Sequence, residues 1–173
     1  MKSIKRKGFT LVELLIVIVV IGILAAMMML SSTEAVTSSK VNNITSNLRN
    51  LKTAALSLYT DSYDNFASEP NKEINLVNDV VPYLSQGSTI PDIGAYSIRN
   101  IDDATYGGWY LYYDTEHNSN PKSEQPKIKA KLKARAKSLG LLEASNLTNT
   151  GTDSPHTEYG ADGLKKYVVM KVR

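Results

Sequence analysis

The feature that most constrains this chain is a run of seventeen residues without a polar side chain, from Leu14 to Leu30. Counted from Phe9, the apolar stretch covers 22 residues and is interrupted only by Thr10 and Glu13. At about 1.5 Å per residue it makes a helix of roughly 33 Å, which matches a hydrocarbon core of about 30 Å. We therefore expect residues 9–30 to form a helix that can span a bilayer.

The charges on either side of this run predict its orientation. Four of the 20 basic residues lie within the first eight positions, namely Lys2, Lys5, Arg6 and Lys7. After the run, only Lys40 is basic in the next ten residues. Because Lys and Arg are retained on the cytoplasmic side of a membrane, the N-terminus should stay in the cytoplasm. The rest of the chain would then be an extracytoplasmic domain.

Length and composition limit the size and chemistry of the part of the chain after the apolar run. The 173 residues, 42% of them hydrophobic, suffice for one modest domain and an N-terminal appendage. The chain has no cysteine, which excludes disulfides, thiolate metal sites and a cysteine nucleophile. Without the four basic residues at the N-terminus, 16 basic side chains face 17 acidic ones. The formal charge of +3 is therefore poor evidence for a nucleic-acid partner.

Two ordinary explanations of the apolar run remain open. A secretory signal peptide has a shorter apolar region of about 7 to 15 residues and a small-x-small cleavage site, for which "ILAAMMML" is a poor match. An uncleaved signal anchor explains the span and its orientation, but it does not explain Glu13. A carboxylate within hydrocarbon costs about 2.5 to 3.5 kcal/mol on insertion scales, and less near the interface.

The stretch "KGFTLVELLIVIVVIGILAA" resembles the class III signal of type IV pilins and of the pseudopilins of type II secretion. The basic leader, the Gly8–Phe9 junction, Thr10, Glu13 and the continuous apolar helix all match, over about residues 5–30. The resemblance implies that a prepilin peptidase cuts after Gly8 on the cytoplasmic side and methylates the new amine of Phe9. Residues 1–8 would then be a leader peptide.

The resemblance also implies a role for Glu13. In that family the acid meets the amine of Phe9 from a neighbouring subunit of a helical filament. Two charges that are each costly in hydrocarbon become tolerable when paired, and a pair formed only between subunits favours assembly. The implied partners are other copies of this chain, related pilins, the peptidase and an inner-membrane assembly machinery. The precursor would lie in the bacterial inner membrane, and the mature chain in a surface pilus or a periplasmic pseudopilus.

One position departs from the family pattern. Many members carry a proline where this chain has Leu30, and no proline occurs between Met1 and Phe66. A prolyl kink is therefore not expected. Gly22 is the predicted point of local weakness or of close helix packing.

Residues 31–64 are predicted to continue the same helix as an amphipathic half. Apolar residues recur on one face at spacings of three and four: Val41, Ile44, Leu48, Leu51, Ala55 and Leu58. No helix breaker separates the two halves, so one helix should extend from Phe9 to about Tyr63. The stripe must cover something, most simply the sheet of its own domain, and a free coiled coil is the alternative.

Residues 65–173 are predicted to form a pilin-like globular head that packs on the amphipathic half. The stretch Asp61 to Ser97 contains three prolines and two glycines, and we interpret it as a connector with a short helix around Leu76 to Val81. The predicted fold class is α+β: a long N-terminal helix, transmembrane in its first half, packed on a small antiparallel sheet.

Two segments of the head have strand patterns. In "YGGWYLYYD" one face carries Trp109, Leu111 and Tyr113, and the other carries Tyr110 and Tyr112. In "KKYVVMKV" one face carries Val168, Met170 and Val172. An antiparallel sheet with few strands is the natural assembly of such segments.

Between these strands, "KIKAKLKARAKSLGLLE" predicts a helix that ends at Gly140, with Ile128, Leu132 and Leu139 on a narrow apolar face. The helix carries the densest charge cluster of the chain, a candidate anion-binding surface: Lys127, Lys129, Lys131, Lys133, Arg135 and Lys137. One interpretation is a surface for DNA phosphates. The other, which we prefer, is a solvated helix, because acidic residues balance the rest of the mature chain.

The C-terminal loop "TDSPHTEYGADG" offers three carboxylates that calcium could use, Asp153, Glu158 and Asp162. Their spacing does not match an EF-hand. The resemblance adds some support, because major pseudopilins carry a calcium site in a C-terminal loop. We prefer an ordinary turn rich in Asp and Gly, and predict no required cofactor.

These features together predict a structural subunit of a type IV pilus or a related filament rather than an enzyme. The chain contains no phosphate-binding glycine motif, no GxSxG and no HExxH. Two alternatives stay open. One is a pseudopilin of a type II secretion system, and the other is a minor pilin for DNA uptake or adhesion that uses the basic helix.

Overall fold

The computed structural model describes residues 8–62, 73–85, 88–101, 105–147, 155–161 and 163–173, with the backbone alone at positions 30 and 31. The chain divides into two units, Met1–Thr37 and Ser38–Arg173, and each is described by itself. One helix, α1, covers Leu11–Asp61 and contributes residues to both units.

Helix α1 has 51 residues and no proline. Its polar stretch after the apolar run is rich in Ser and Thr, which are neutral to unfavourable within helices. These hydroxyls bond back to carbonyls one turn earlier: Thr33 donates to Met29 O at 3.1 Å, and Thr37 donates to Thr33 O at 3.0 Å. The prediction of a single helix is confirmed, with a start at Leu11 rather than Phe9; its predicted end at Tyr63 lies outside the described residues.

In the described part of the second unit, five antiparallel strands form one sheet: β1 (Glu73–Ile74), β2 (Tyr96–Ile101), β3 (Gly108–Asp114), β4 (Leu141–Ala144) and β5 (Tyr167–Lys171). Their order in the sheet is β1-β2-β3-β5-β4. The longest strand, β3, is central and pairs with β2 and β5. The predicted small antiparallel sheet is therefore confirmed.

The two faces of β3 enter different clusters, as its alternating pattern predicts. Trp109, Leu111 and Tyr113 lie in the main core. Tyr110 and Tyr112 lie on the opposite face in a second, smaller cluster. In β5 and the residue after it, the predicted face is also confirmed, and its members join the main core: Val168, Met170 and Val172.

The apolar stripe of α1 packs in that same main core. All six predicted stripe residues are at most 6% exposed: Val41, Ile44, Leu48, Leu51, Ala55 and Leu58. Full burial of an aliphatic side chain of this size is worth about 1.5–3 kcal/mol. The stripe is thus occupied by the chain's own domain, as predicted, and is not available for a coiled coil.

A second helix, α2, covers Gln125–Leu139. As predicted, it ends at Gly140. This glycine has a left-handed φ of 62°, and its backbone N–H donates to Ala136 O. Ile128, Leu132 and Ala136 are its buried residues, whereas Leu139 is only partly buried. All three predicted members of the apolar face therefore pack against the main core, and Ala136 adds a fourth.

The predicted connector between Asp61 and Ser97 needs correction. The short helix is present as a π-helical turn at Leu76–Val80 followed by a 3₁₀ turn at Val81–Tyr83. However, β1 lies inside the predicted connector, and β2 begins at Tyr96 before its predicted end. Strand β4, directly after Gly140, was also not predicted. These strands have two to six residues, too few for periodicity alone to identify them.

Candidate functional site

The start of α1 is a capping box built from Thr10 and Glu13. The first helical bond joins Leu14 N to Thr10 O at 3.2 Å, so Thr10 is the residue that caps the helix. Its hydroxyl accepts from Glu13 N at 3.2 Å. In return, the backbone N–H of Thr10 donates to Glu13 Oε2 at 2.8 Å. This reciprocal arrangement satisfies two backbone donors that the helix itself leaves without partners.

Only one of the two carboxylate oxygens of Glu13 accepts hydrogen bonds from described residues. The hydroxyl of Thr10 also donates to Oε2 at 2.8 Å, so both donors converge on the same oxygen. Oε1 has no partner among the described residues. Because the Thr10 amide lies after the Gly8–Phe9 bond, removal of a leader at that bond would leave the capping box intact. The acid can therefore hold the helix start and still face a cation from another chain.

The Gly8–Phe9 junction is open. Phe9 is 83% exposed. A Cβ at Gly8 would have no neighbour within 4 Å, and its backbone does not adopt the left-handed conformation that favours glycine. Neither space nor conformation within this chain therefore requires a glycine there. Among the described residues, no contact explains why a glycine is needed at this position.

The first half of α1 exposes its apolar side chains on all sides. Every large hydrophobic residue from Phe9 to Met29 is 48 to 83% exposed, and the mean hydropathy reaches 3.0 over 18 residues. Isolated soluble proteins do not present a continuous apolar surface of this extent. Length and composition allow this helix to cross a membrane. Such a surface requires a cover of lipid or of other protein.

Gly22 lies in the middle of this apolar surface. A Cβ at this position would meet nothing within 4 Å. The helix continues through the glycine without interruption. The predicted close packing at Gly22 would therefore involve another molecule.

The cationic residues of α2 are largely engaged within the second unit. Lys129 Nζ lies 2.6 Å from Glu116 Oε1, and this hydrogen bond lowers the pKa of Glu116 below its usual value. Lys131 donates to Ser38 Oγ at 2.9 Å, and Arg135 donates to Asn42 Oδ1 at 2.6 Å. Half of the six candidate anion-binding residues thus attach α2 to its neighbours.

The other three basic residues of α2 are exposed: Lys127, Lys133 and Lys137. The stem of Lys133 covers Gly160, where a Cβ would come within 2.6 Å of its Cδ. This leaves Lys127 and Lys137 without a described structural contact, ten positions apart on the helix. Such a distribution suits the preferred interpretation of a solvated helix better than a dense phosphate-binding surface.

Of the three carboxylates predicted as calcium ligands, the structure describes Glu158 alone. Glu158 is exposed and forms a backbone bridge with Leu142. Asp153 and Asp162 lie outside the described residues. No group of three or more potential ligands occurs among the described residues.

Thr10 is the site residue whose function the sequence analysis missed. It was noted only as part of the resemblance, although Thr-x-x-Glu before an apolar run is a recognisable capping signal. Thr10 and Glu13 therefore carry two signals: they cap the start of the helix, and they form part of the pattern that resembles the class III signal.

Comparison with protein families gives a match at the same place. Residues 4–29 match the family described as "Prokaryotic N-terminal methylation motif". This match covers the leader from Ile4 onward, the junction, the capping box and most of the apolar run. Searches of curated proteins and of solved structures found no match for the chain.

The motif and the fold define a class of protein. The chain carries the class III signal of type IV pilins and pseudopilins, on a helix whose second half packs against a small antiparallel sheet. It is pilin-like, with a prepilin-type signal that fits a membrane-anchored precursor. The matched motif is of a structural, pilin type.

Proposed function

We propose that this chain is a structural subunit of a type IV pilus or a closely related filament, cut after Gly8, methylated at Phe9 and polymerised through the first half of α1. One observation carries the proposal. The methylation motif covers residues 4–29, and every large apolar side chain of the helix from Phe9 to Met29 is exposed. Such a surface needs lipid before assembly and other subunits after it.

In this proposal Glu13 selects the register between subunits. Cleavage gives Phe9 a cationic amine, and methylation leaves that charge in place. Oε1 of Glu13 is open to this amine in a neighbouring copy. A pair that forms only between chains lowers the penalty of both charges in an apolar environment and favours the assembled state.

The decisive experiment is the composition of surface fibres. Cells are sheared, the fibres are collected, and mass spectrometry measures the chief component and its N-terminus. A pilus subunit should be the chief component and should begin with methylated Phe9. If sheared fibres lack the chain while the periplasm holds short assemblies of it, a secretion pseudopilus takes the place of the surface pilus. An uncut N-terminus would overturn both.

The pairing itself can be tested by cysteine cross-linking, because the chain contains no cysteine. Two differently tagged copies are expressed together, one with Leu11→Cys and the other with Leu14→Cys. Cross-links between the two tags are expected only when Gly8 is cleaved. Equal cross-linking of uncut Gly8→Val chains would show that the contact does not depend on the new amine.

A further inference from the structure

A cavity of about 440 Å³ lies wholly within the second unit and is not used by the proposed assembly function. It lies between residues 40–47 of α1, the ends of β2 and β3, and two turns. This volume is within the range of about 300–1,000 Å³ typical of small-molecule sites. The residues that carry the argument are Lys40, Asn47, Asp92, Tyr96, Tyr113 and Asn120.

Two buried tyrosines provide the donors of this cavity. Strand register places Tyr96 opposite Tyr113, with ring centroids 4.9 Å apart. Tyr96 is 6% exposed and Tyr113 is 3% exposed, yet both line the cavity. Strand pairing and packing in the main core hold both side chains in place, so this wall of the cavity is formed before a ligand binds.

Each hydroxyl accepts a hydrogen bond from an amide. Asn47 Nδ2 donates to the Tyr96 hydroxyl at 3.2 Å, and Asn120 Nδ2 donates to the Tyr113 hydroxyl at 2.7 Å. Asn120 Nδ2 also donates to Thr115 O at 3.1 Å. Since a carbonyl oxygen only accepts, this bond fixes the orientation of the amide. The Tyr113 phenol therefore keeps its own hydrogen for another acceptor. The Tyr96 phenol does so too while Asn47 donates to it, and no further acceptor for either hydrogen is found among the described residues.

The charges of the cavity are balanced. Lys40 Nζ is paired with Glu124 Oε2 at 2.8 Å, so its cation is already neutralised. Burial raises the pKa of Tyr96 and of Tyr113 above the ordinary value, which keeps both phenols neutral and able to donate. Asp92, exposed and left-handed at φ 56°, supplies an acceptor at the rim. This arrangement does not favour an anion.

We propose that this cavity binds a neutral, hydroxyl-rich ligand of the saccharide class. The hydroxyls of Tyr96 and Tyr113 donate to ligand oxygens, and the carboxylate of Asp92 accepts from ligand hydroxyls. A sugar hydroxyl both donates and accepts hydrogen bonds. It therefore suits a cavity wall that offers hydrogen-bond donors and an acceptor close together. Peptide binding by strand addition is not supported, because β2 and β3 both pair with neighbours on each side.

The test uses the purified full-length chain in a detergent without a sugar head group. Saturation-transfer NMR is recorded with glucose, galactose and N-acetylglucosamine, and with glucuronate as the matched anion. Transfer to at least one neutral sugar is expected, and glucuronate should bind more weakly. Comparison of a free monosaccharide with the corresponding disaccharide shows whether the site takes single sugars or the ends of glycan chains.

Matched variants locate the binding. Tyr113→Phe removes one donor and should weaken binding roughly fivefold. Tyr112→Phe is the control, because its buried hydroxyl lies on the opposite face and has no hydrogen-bond partner among the described residues. Asp92→Asn should also weaken binding, and this exposed position should not disturb folding.

Three results would overturn the proposal. One is absence of transfer to every neutral sugar. Another is equal binding by Tyr113→Phe, Asp92→Asn and the Tyr112→Phe control. The third is tighter binding of glucuronate than of every neutral sugar, which would make the cavity an anion site.

Discussion

The backbone N–H and the hydroxyl of Thr10 both donate to Oε2 of Glu13, each at 2.8 Å. The residue that caps α1 therefore also holds the acid on which the proposed assembly depends. Because the two donors share one oxygen, the other oxygen stays available to a neighbouring chain. Helix initiation and the proposed filament contact are thus combined in four residues, and substitutions can separate them.

Thr10→Val should lower filament yield without preventing cleavage. The variant loses the hydroxyl that contacts Glu13, and loss of such a cap typically costs about 1 kcal/mol. The carboxylate then has more freedom and pairs less well. Thr10→Ser keeps the hydroxyl and should assemble normally. The measurement is the amount of chain in sheared fibres relative to the membrane pool, and equal yields for Val and Ser would count against this positioning role.

Glu13→Gln and Glu13→Ala should both reduce filament assembly strongly while leaving insertion and cleavage intact. Gln can still complete a capping box, whereas Ala cannot. If the charge is what matters, Gln does not rescue assembly. If the helix cap is what matters, Gln restores it, and the proposed pairing with Phe9 is wrong. Filament yield and the mass of the membrane-bound chain distinguish these outcomes.

Gly8→Val should leave an uncut precursor. A side chain at this position has open space in the chain itself, so folding should not be affected. Gly22→Val is the matched control, since a Cβ there also meets nothing within 4 Å, and it should be processed normally. Mass spectrometry of the N-terminus is the measurement. Methylated Phe9 in the Gly8→Val chain would place the cleavage site elsewhere.

Leu48→Ala should destabilise the second unit by about 2–5 kcal/mol, because it leaves a cavity in the main core. Leu48 is 0% exposed, whereas Leu56 on the same helix is 38% exposed. Leu56→Ala should therefore cost much less. Urea unfolding of both variants in detergent measures the difference. Equal losses would mean that the stripe of α1 is not the face that packs in the core.

The second unit should lose stability as the pH rises above about 10, the ordinary pKa of tyrosine. Burial raises the pKa of Tyr96, Tyr112 and Tyr159 in the folded state. Above the unfolded value, the unfolded chain therefore binds fewer protons than the folded chain. The free energy of unfolding then falls with pH, by up to about 1.4 kcal/mol per pH unit for each group.

Unfolding in urea at several alkaline pH values, together with tyrosinate absorbance, measures this dependence. Tyr112→Phe should reduce the slope. Tyr106→Phe is the control at an exposed position, because Tyr106 is 42% exposed. An identical slope in both variants would argue against a raised pKa for Tyr112.

Local patterns were sufficient for the longest elements. The apolar run is continuous over 17 residues, the stripe of α1 is periodic, and every predicted stripe residue is buried. The alternation in β3 correctly predicts that Leu111 and Tyr112 enter different clusters. Such patterns can be recognised because the burial of each face depends on spacing along a single element.

Short strands and side-chain partners required the tertiary structure. Strand β4 has only four residues, too few for its sequence pattern to identify it as a strand. It is recognised as a strand only through its pairing with β5. The contact between Lys131 and Ser38 joins residues 93 positions apart. The sequence shows a dense basic helix, but it does not show which cations are already engaged.

By itself, the sequence determined the signal at the junction of Gly8 and Phe9, the span of the apolar run and the amphipathic face of α1. Only the tertiary structure decided that Oε2 of Glu13 is occupied by Thr10, and that Tyr96 and Tyr113 meet at one cavity. The reason is physical. Spacing along one helix or strand specifies a face, whereas partners from distant segments depend on strand register and on how α1 packs against the sheet.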